Sequence, residues 1–258
     1  MLTGKVAVVL GASAQGGTGW SVAEHLHRAG AKVVVAARRI EPLEELASQI
    51  GGLAVTCDAA DEDQVIALGA AAKDRFGGID IAINCAARPV LGTIAQAKLA
   101  DLRRSLEVNF LGHVSFVREM AAVMHDGGSI VLFSSSSAAQ PLMPFFPYAC
   151  AKAATDCLVR YAALEYGERG IRINSVLPGP IKTDMAQHIF SVPGTEAVFE
   201  REIPLRRVGT PDDFGKLCVM LSGDHYLSGL NLPASGGMQL TRSPRGDELF
   251  PSGSFSEP

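Results

Sequence analysis

The amino-acid sequence predicts an α/β fold built on one parallel sheet that helices cover on both faces. Short apolar runs of strand length alternate along the chain with stretches of helical periodicity, which is the order of elements in such folds. The runs are apolar at successive positions, as in strands that are buried on both faces. The first run leads into a glycine-rich turn and then a helix, an arrangement typical of nucleotide-binding sheets. We therefore expect a single-domain Rossmann-like doubly wound parallel sheet.

The predicted elements follow one another in a regular order. Strands are predicted from β-branched, apolar runs, and helices from apolar positions three and four residues apart. In the first half of the chain the strand and helix pairs are 5–10 and 20–29, 33–36 and 41–50, 53–56 and 61–76, and 79–83 and 102–124. In the second half, strand 129–133 precedes a helix that begins before Tyr148, strand 171–176 precedes a helix from Pro211, and a last short strand lies near 231–233.

Several residues with polar side chains or special backbone properties follow these strands directly. They are Gly11, Arg38, Asp58, Asn84, Ser135 and Pro178. Because the carboxyl ends of parallel strands meet at one edge of the sheet, we expect these residues to gather there and to form a ligand site.

The turn at 11–19 is rich in glycine and contains Gly11, Gly17 and Gly19. Glycines let the backbone approach a pyrophosphate closely, and the N-terminus of the following helix offers free N–H groups to its negative charge. The turn therefore favours a dinucleotide site. Considered alone, it has the alternative interpretation of a plain flexible loop.

A tyrosine and a lysine stand four residues apart in Tyr148-Ala149-Cys150-Ala151-Lys152, thirteen residues after Ser135. On one helix, the i, i+4 spacing places both side chains on the same face, where an ammonium would lower the pKa of the phenol. A tyrosine tuned in this way can exchange a proton with an alcohol or a ketone. Such a pair alone is also a common surface contact, so the interpretation depends on the rest of the chain.

The chain resembles the short-chain dehydrogenase/reductase family, in its single-domain classical type, from Lys5 to about Met238. The motifs that carry the resemblance are Gly17-Thr18-Gly19, Asn84-Cys85-Ala86-Ala87, Asn109 within 107–112, Ser135, Tyr148 with Lys152, the segments 171–183 and 204–211, and Gly229 with Gly236-Gly237. Three departures accompany it. The turn between Gly11 and Gly17 is two residues longer than usual, the second Asn and the Gly of the family's Asn-Asn-Ala-Gly motif are replaced, and Ser235 stands where an Asp often precedes the final glycines.

The resemblance implies a catalytic set of Asn109, Ser135, Tyr148 and Lys152. Tyr148 would be the acid and base, and Lys152 would lower its pKa and hold the nicotinamide ribose. Ser135 would bind the substrate oxygen, and Asn109 would belong to a water relay that resupplies protons through Lys152. The neighbouring serines at 134, 136 and 137 remain alternatives to Ser135.

The resemblance also implies a cofactor site, in which Asp58 would bond the adenine and Thr183 the carboxamide. Its expected residues are Gly11, Ser13, Gly17, Thr18, Gly19, Arg38, Asp58, Asn84, Ala86, Tyr148, Lys152, Pro178, Gly179, Ile181 and Thr183. The second strand ends without an acid, and Arg38 follows it, so a 2′-phosphate has a partner there. We therefore favour NADP, as NADPH, over NAD, with solvated arginines at 38 and 39 as the alternative.

Composition excludes several classes of function. A net charge of −4 over 258 residues gives no basic field for nucleic acid or anionic membrane, and no apolar stretch is long enough to span a bilayer. No basic, apolar leader precedes Gly11, so we expect a cytoplasmic protein. The five cysteines lack C-x-x-C spacing and are expected to be reduced, and no His, Cys or acidic cluster has the spacing of a metal site.

The expected activity is oxidoreduction between NADP(H) and a ketone or secondary alcohol, the activity of a ketoreductase. The segments 140–147 and 185–207, with His188, Ile189, Phe190, Val192 and Phe199, would form a mostly apolar substrate wall, so we expect an apolar or cyclic small molecule. Alternatives are an NAD-dependent alcohol dehydrogenase, a 3-oxoacyl-carrier-protein-type reductase that uses Arg103 and Arg104, and a non-catalytic cofactor-sensing protein.

Residues 1–240 would form the catalytic domain. Residues 241–258 would form a mobile tail, unless its one apolar pair, Leu249-Phe250, docks on the domain or on a neighbouring subunit. The two long helices near 102–124 and 147–166 carry more apolar positions than one sheet face needs, which predicts a homotetramer or homodimer.

Overall fold

The structure, a computed structural model, describes residues 1–249. Within them, seven parallel strands form one sheet in the order β3-β2-β1-β4-β5-β6-β7. The strands are β1 (Val6–Leu10), β2 (Lys32–Ala37), β3 (Leu53–Thr56), β4 (Ile79–Asn84), β5 (Met124–Phe133), β6 (Arg172–Pro178) and β7 (Asn231–Ala234). The strand order reverses between β1 and β4, and such a reversal opens a crevice at the carboxyl ends of the two strands. The predicted parallel sheet is confirmed.

Helices connect the strands on both faces of the sheet. They are α1 (Thr18–Arg28), α2 (Ile40–Ile50), α3 (Glu62–Phe76), α4 (Leu99–Leu106), α5 (Gly112–Val123), α6 (Phe146–Glu165), α7 (Gln187–Phe190), α8 (Thr195–Glu202), α9 (Pro211–Ser222) and α10 (Gly246–Leu249). Sequence periodicity did not predict α7 and α8, which lie in the segment expected to wall the substrate site.

Two apolar cores explain why the sheet is covered on both faces. On one face, Val9 and Val35 pack with residues of α1, α2 and α9, among them Trp20 and Phe214. On the other face, Val8 and Val34 pack with residues of α3, α5 and α6. Successive strand residues point to opposite faces, so an apolar run fills both cores at once. A third, smaller cluster lies under α8 and contains Phe199, Ile203 and Leu249.

The prediction of a single long helix over 102–124 is wrong in one respect. A π-helical turn (Glu107–Leu111) separates α4 from α5. Gly112 follows this turn and lies against the carbonyl oxygen of Ala59, which leaves no room for a Cβ atom. Turns of this kind are rare and often occur at functional sites. Here the turn carries Asn109, which is fully buried.

Residues 241–258 were predicted to form a mobile tail, and the structure describes the first part of this segment, residues 241–249. Residues 241–249 return to the domain, and Leu249 is buried against the cluster under α8. Phe250 and the residues after it lie outside the described part of the chain. No helix in residues 1–249 has the length and apolar character needed to cross a membrane.

Candidate active site

Two adjoining clefts lie along the carboxyl edge of the sheet, where the sequence predicted a ligand site. The first, of about 440 Å³, extends over the ends of β1, β2 and β3. The second, of about 260 Å³, extends from the glycine-rich turn to α6 and α8. They share lining residues, among them Gly11 and Ala14, and therefore form one continuous path across the end of the sheet.

The glycine-rich turn lies at the junction of the two clefts. Gly11 has a φ angle of +94°, and a Cβ atom there would lie 2.6 Å from the backbone nitrogen of Ala86. Both facts require glycine at this position. Gly17 precedes α1, whose first turn receives no side-chain cap from Gly17 and contains no acidic residue. The first N–H groups of α1 therefore remain available for an anionic ligand.

Two arginines follow β2 and line the first cleft. Arg39 donates from its guanidinium to the carbonyl oxygen of Ser13 at 2.9 Å and to its hydroxyl at 3.3 Å. Arg38 is exposed and makes no hydrogen bond or ion pair within residues 1–249. Arg39 therefore fixes the lengthened turn, whereas the Arg38 guanidinium is available to a ligand. Asp58 lines the same cleft and accepts from the backbone N–H of Ala60 at 3.0 Å.

Asn84 lies beneath the clefts and does not line either of them. It is fully buried, and its Oδ1 atom accepts from the backbone N–H of Ala86 at 2.9 Å. Its Nδ2 atom has no hydrogen-bond partner within the described residues. Asn84 thus shapes the turn that presents Ala86 to the first cleft, and it reaches a ligand only through that turn.

Helix α6 brings Tyr148 and Lys152 to the second cleft, together with Ser135 at the end of β5. Lys152 is fully buried, and its Nζ atom lies 5.6 Å from the centroid of the Tyr148 ring. The same atom donates to the carbonyl oxygen of Phe133 at 2.7 Å. The Ser135 hydroxyl lies near enough to Tyr148 to lower the pKa of its phenol. The expected hydroxyl, phenol and amine therefore meet in one place.

The structure distinguishes between the consecutive serines. Ser134 is buried and donates to the carbonyl oxygen of Lys152 at 3.2 Å, so its hydroxyl serves the packing of α6. Ser137 lies 2.9 Å from the Ser135 hydroxyl and donates its backbone N–H to it at 3.2 Å. Of these hydroxyls, that of Ser135 is the one that affects the pKa of Tyr148.

Burial controls the ionisation of this group of residues. It raises the pKa of Tyr148 to about 12, and the hydrogen bond with Ser135 opposes this increase. Burial lowers the pKa of Lys152 to about 7, against the attraction of Asp156. We expected Lys152 to lower the pKa of Tyr148. In the structure the pKa of Tyr148 is raised instead, because loss of solvent disfavours both the phenolate and the ammonium.

Asn109 lies behind the cleft and connects two segments. Its Nδ2 atom donates to the carbonyl oxygens of Arg88 at 2.8 Å and Ser105 at 3.0 Å, and its Oδ1 atom accepts from the N–H of Arg88 at 3.1 Å. Its carbonyl oxygen accepts from the Thr155 hydroxyl at 2.6 Å. Asn109 thus joins the turn after β4 to α6, and it does not line the cleft.

Sequence reasoning missed two titratable neighbours of Lys152. Asp156 lies one helical turn further along α6, and mainly burial raises the pKa of its carboxyl. His113 is fully buried on α5, and burial together with Lys152 holds its pKa well below the usual range. The i, i+4 offset from Lys152 could have indicated Asp156. The sequence contains no comparable signal for His113, because the packing of α5 against α6 brings it close to Lys152.

The far part of the second cleft has mostly apolar walls. Leu142 and Phe145 come from the segment 140–147, and Ile189, Phe190 and Phe199 come from the segment 185–207. The side chains of Met185 and His188 lie outside what the structure describes. The remaining predicted contacts, Pro178, Gly179, Ile181 and Thr183, follow β6 and line the same cleft, as do Gly17, Thr18 and Gly19. Met238, which was not predicted, completes the wall.

The residues present fit a dinucleotide cofactor. An uncapped helix N-terminus lies at the glycine turn for a pyrophosphate, an unpaired arginine lies over β2, and a path along the sheet edge leads from there to Tyr148. A Cβ atom at Gly179 would lie 2.8 Å from that of Ser235, so the backbone after β6 is held close to the sheet beside the cleft.

Comparisons with known proteins agree with this arrangement. A family model described as Enoyl-(Acyl carrier protein) reductase matches residues 11–239. The 3beta-hydroxysteroid dehydrogenase 1 of Eggerthella lenta is 32% identical over 252 residues, which cover 93% of this chain and 95% of that protein.

Two solved structures share the fold over nearly their whole length. A short-chain type dehydrogenase/reductase from Mycobacterium ulcerans superposes with a TM-score of 0.90 at 27% identity, covering 96% of this chain and 94% of that chain. A variant of actinorhodin polyketide ketoreductase, determined with NADPH, has a TM-score of 0.84 at 26% identity, covering 93% and 99% of the two chains.

Proposed function

The chain belongs to the short-chain dehydrogenase/reductase family, and from this we propose that it reduces an apolar, ring-containing ketone to a secondary alcohol with NADPH. The observation that carries the proposal is the meeting of Ser135, Tyr148 and Lys152 in one cleft. These residues lie beside a backbone turn that suits a dinucleotide. The family consists of oxidoreductases that act on alcohol and ketone groups.

Tyr148 is the proton donor in this proposal. Its raised pKa keeps the phenol protonated at neutral pH, and a protonated phenol can supply a proton to a carbonyl oxygen that gains negative charge. Ser135 would donate to the same oxygen and position it, because its hydroxyl lines the same cleft and influences the pKa of the phenol. The protonated phenol is the form that the reductive direction requires.

Lys152 has two roles in the proposal. With a pKa near 7 it can hold or release a proton at neutral pH, and its position beside the Tyr148 ring makes it the next group from which the phenol is reprotonated. Its bond to Phe133 fixes the amine at the end of β5, where the nicotinamide ribose would lie. Asn109 supports this arrangement by holding α6 against the turn after β4.

The cofactor, when bound, supplies the hydride. The turn at 11–19 and the N-terminus of α1 would hold its pyrophosphate, and Asp58 and Thr183 would contact its two ends. Arg38 carries the preference for NADP, because its guanidinium is exposed in the first cleft and unpaired within the described chain. The ketoreductase determined with NADPH supports this choice by similarity.

The substrate class follows from the walls of the second cleft. Leu142, Phe145, Phe190, Phe199 and Met238 surround the space in front of Tyr148. Rings with few polar groups bury well against such side chains, whereas a sugar would lose its hydrogen bonds to water without replacement. Relatives whose names refer to a hydroxysteroid and a polyketide support a substrate with fused rings.

The test of the function is turnover by a variant that lacks one hydroxyl. The Tyr148→Phe substitution should lower kcat for a cyclic ketone by at least the ~10²-fold typical of lost general acid catalysis. It should leave the Kd of NADPH nearly unchanged, because the ring still fills its place beside Lys152. Retention of most of the activity would overturn the assignment of Tyr148, and wild-type protein without turnover on any ketone would instead favour a non-catalytic cofactor sensor.

The description of the family model favours a second candidate, a reductase for substrates bound to acyl carrier protein. Arg103 is exposed on α4, whereas Arg104 pairs with Asp101 at 3.2 Å. A carrier protein with an acidic helix would then meet a single unpaired arginine of this pair. Comparing kcat/KM for a carrier-bound 3-oxoacyl group and for the same group on a small thiol decides between the candidates, since only a carrier-specific enzyme prefers the former. An NAD-dependent alcohol dehydrogenase is the remaining alternative, and relative cofactor affinity tests it.

We also propose a homotetramer or homodimer. Large apolar side chains are exposed at Leu106, Leu111, Tyr161 and Leu164, on the surfaces of α4, the π-helical turn and α6. A second copy of the chain related by a two-fold axis would bury them.

A further inference from the structure

Residues 241–249, which we call the strap, extend from the end of the fold to α8 and to the loop 140–145. We propose that the strap sets the width of the substrate cleft by tying α8 to the loop 140–145, with Arg242 as its positioning residue. The inference rests on the proposed function, which identifies the second cleft as the substrate site. Its structural part, the restraint of α8, can be tested without any substrate.

Arg242 ties the strap to the C-terminal end of α8. Its guanidinium donates to Glu202 at 2.8 Å and forms two bonds with Glu248, at 2.6 and 2.9 Å. Arg201 of α8 reaches the same Glu248 carboxylate at 2.7 Å. The side chains of Glu202 and Glu248 are 13% and 24% exposed, whereas those of Arg242 and Arg201 are 44% and 56% exposed, so the network lies at the surface of the protein. The bonds from Arg242 lower the pKa of Glu248 to about 2, which keeps the network ionised down to acidic pH.

The strap also contacts the loop 140–145, whose Leu142 and Phe145 line the cleft. The side chain of Gln140 donates to the carbonyl oxygen of Thr241 at 3.3 Å, and the hydroxyl of Thr241 donates to the carbonyl oxygen of Glu202 at 2.6 Å. Ser243 lies with its hydroxyl 3.5 Å from the carbonyl oxygen of Gln140. A single residue, Thr241, therefore bridges the loop 140–145 and α8.

At its far end the strap inserts Leu249 under α8. Leu249 is 1% exposed and packs in the cluster that contains Phe199, Ile203 and Met238. Two members of this cluster, Phe199 and Met238, are also substrate-cleft residues. The Thr195 hydroxyl, at the start of α8, lies 3.5 Å from the Leu249 carbonyl oxygen. The strap thus holds α8 at both of its ends and supports the wall from behind.

These contacts predict a consequence for specificity. A helix held at both ends keeps Phe199 at a fixed position in the wall of the cleft, and a fixed wall discriminates between ring systems by size. Releasing the strap should let α8 move outward. Ketones that fill the cleft would then lose contacts, whereas a small ring near Tyr148 would not depend on the wall.

The structural test is amide hydrogen exchange of the full chain, with Arg242→Gln compared with wild type. Loss of the guanidinium should increase exchange in α8 by about tenfold or more, since local opening governs exchange there, and should leave β1 and β4 unchanged. Arg28→Gln is the matched control, because Arg28 pairs with Glu24 at 3.3 Å on the surface of α1, a helix of the opposite end of the cleft. Unchanged protection of α8 in Arg242→Gln would overturn the proposal.

The functional test uses two ketones of different size with NADPH. In Arg242→Gln and in Leu249→Ala, KM for 1-decalone should rise by about fivefold or more, while KM for cyclohexanone and the Kd of NADPH change by less than about twofold. Equal changes for both ketones would overturn the role in specificity. If the wild-type protein reduces neither ketone, the proposed substrate class fails, and the exchange experiment still decides whether the strap restrains α8. Arg242→Lys keeps the positive charge, so its KM for 1-decalone should lie between the values of wild type and Arg242→Gln.

Discussion

The amine of Lys152 donates a hydrogen bond of 2.7 Å to the carbonyl oxygen of Phe133, the last residue of β5. This bond joins the centre of the candidate site to the carboxyl end of β5, a strand that pairs with β4 and β6. The amine has no solvent contact, and the carbonyl accepts from either its charged or its neutral form. The lysine is therefore held in a place where burial disfavours its charged form. Its titration should be measurable as a dependence of the free energy of unfolding on pH.

The first prediction concerns this cost. Burial lowers the pKa of Lys152 from 10.5 to about 7, so the folded state binds fewer protons than the unfolded state between these values. Wild-type stability should therefore increase, relative to that of Lys152→Met, as pH rises from 7 to 10.5, by an amount on the order of a few kcal/mol. Below pH 7 the difference should stay constant, with the variant the more stable protein. Urea unfolding at pH 6, 8 and 10 measures it.

A lysine on an exposed surface supplies the control for that measurement. Lys73→Met removes the same side chain from the solvent-exposed side of α3, outside the candidate site. A pH-independent difference between wild type and Lys152→Met would contradict the assigned titration.

The second prediction concerns Ser135. Its hydrogen bond is the interaction that lowers the pKa of Tyr148 against burial. In Ser135→Ala the phenol should become still harder to ionise, and the alkaline limb of the kcat/KM profile should move to higher pH. A drop in kcat of about 10²-fold should accompany the shift, as when one oxyanion donor is lost. Rates at neutral pH test the loss in kcat. Because the wild-type phenol has a pKa of about 12, ultraviolet titration of the phenol at alkaline pH, with Tyr148→Phe as the reference, tests the shift.

The neighbouring serines provide the comparison. Ser136→Ala removes a hydroxyl from the same cleft and should change kcat by less than about threefold, because Ser135 and not Ser136 influences the pKa of Tyr148. An equal loss in both variants would mean that the serine run acts through the shape of the turn.

The third prediction concerns cofactor choice. If Arg38 binds a 2′-phosphate by charge-assisted bonds of about 1.5–3 kcal/mol each, NADPH should bind at least tenfold tighter than NADH. Arg38→Asp should reverse the order, because a carboxylate repels the phosphate and accepts from the ribose. Arg39→Gln should weaken both cofactors alike, since Arg39 holds Ser13 in the turn. Fluorescence titration of both reduced cofactors decides this, and equal affinities for the wild type would leave Arg38 as a solvated side chain.

The fourth prediction concerns assembly. Light scattering at micromolar concentration should give a mass two or four times the 27.1 kDa of one chain. Leu164→Glu should shift the protein toward the monomer, because the Leu164 side chain is 80% exposed on α6 and a buried charge there is costly. Ile66→Glu, at an apolar position 44% exposed on α3, is the control and should leave the mass unchanged. A monomeric wild-type protein would refute the proposal.

Much of the fold was accessible from the sequence because its signals are local. The apolar run of β1 and the glycine turn after it lie within about twenty residues, and the i, i+4 offset of Tyr148 and Lys152 is a property of one helix. Strand alternation with helices then requires a parallel sheet, and a parallel sheet brings the strand ends together. Ser135 and Gly11 were predicted to lie near each other for this reason.

The sequence did not determine what depends on contacts between distant segments. The sequence predicts that Asn109 lies in a continuous helix. In the structure it lies in a π-helical turn, where Gly112 packs on Ala59 and Asn109 forms hydrogen bonds with Arg88. Asn84 is a predicted cofactor contact, and its burial beneath the turn that it shapes could not be read from the sequence. The polar composition of 241–249 favours mobility, yet a few ion pairs and Leu249 dock this segment on α8.

The ionisation of the site shows the same division. Spacing determined which residues meet, since Tyr148 and Lys152 share a helical face in any fold that keeps the helix. The direction of their pKa shifts was decided by the tertiary structure, because it depends on how much water the sheet, α5 and the turn after β4 exclude from α6. Local sequence specifies backbone periodicity, whereas burial is the sum of contacts that distant segments make, and the charge of a buried group follows burial.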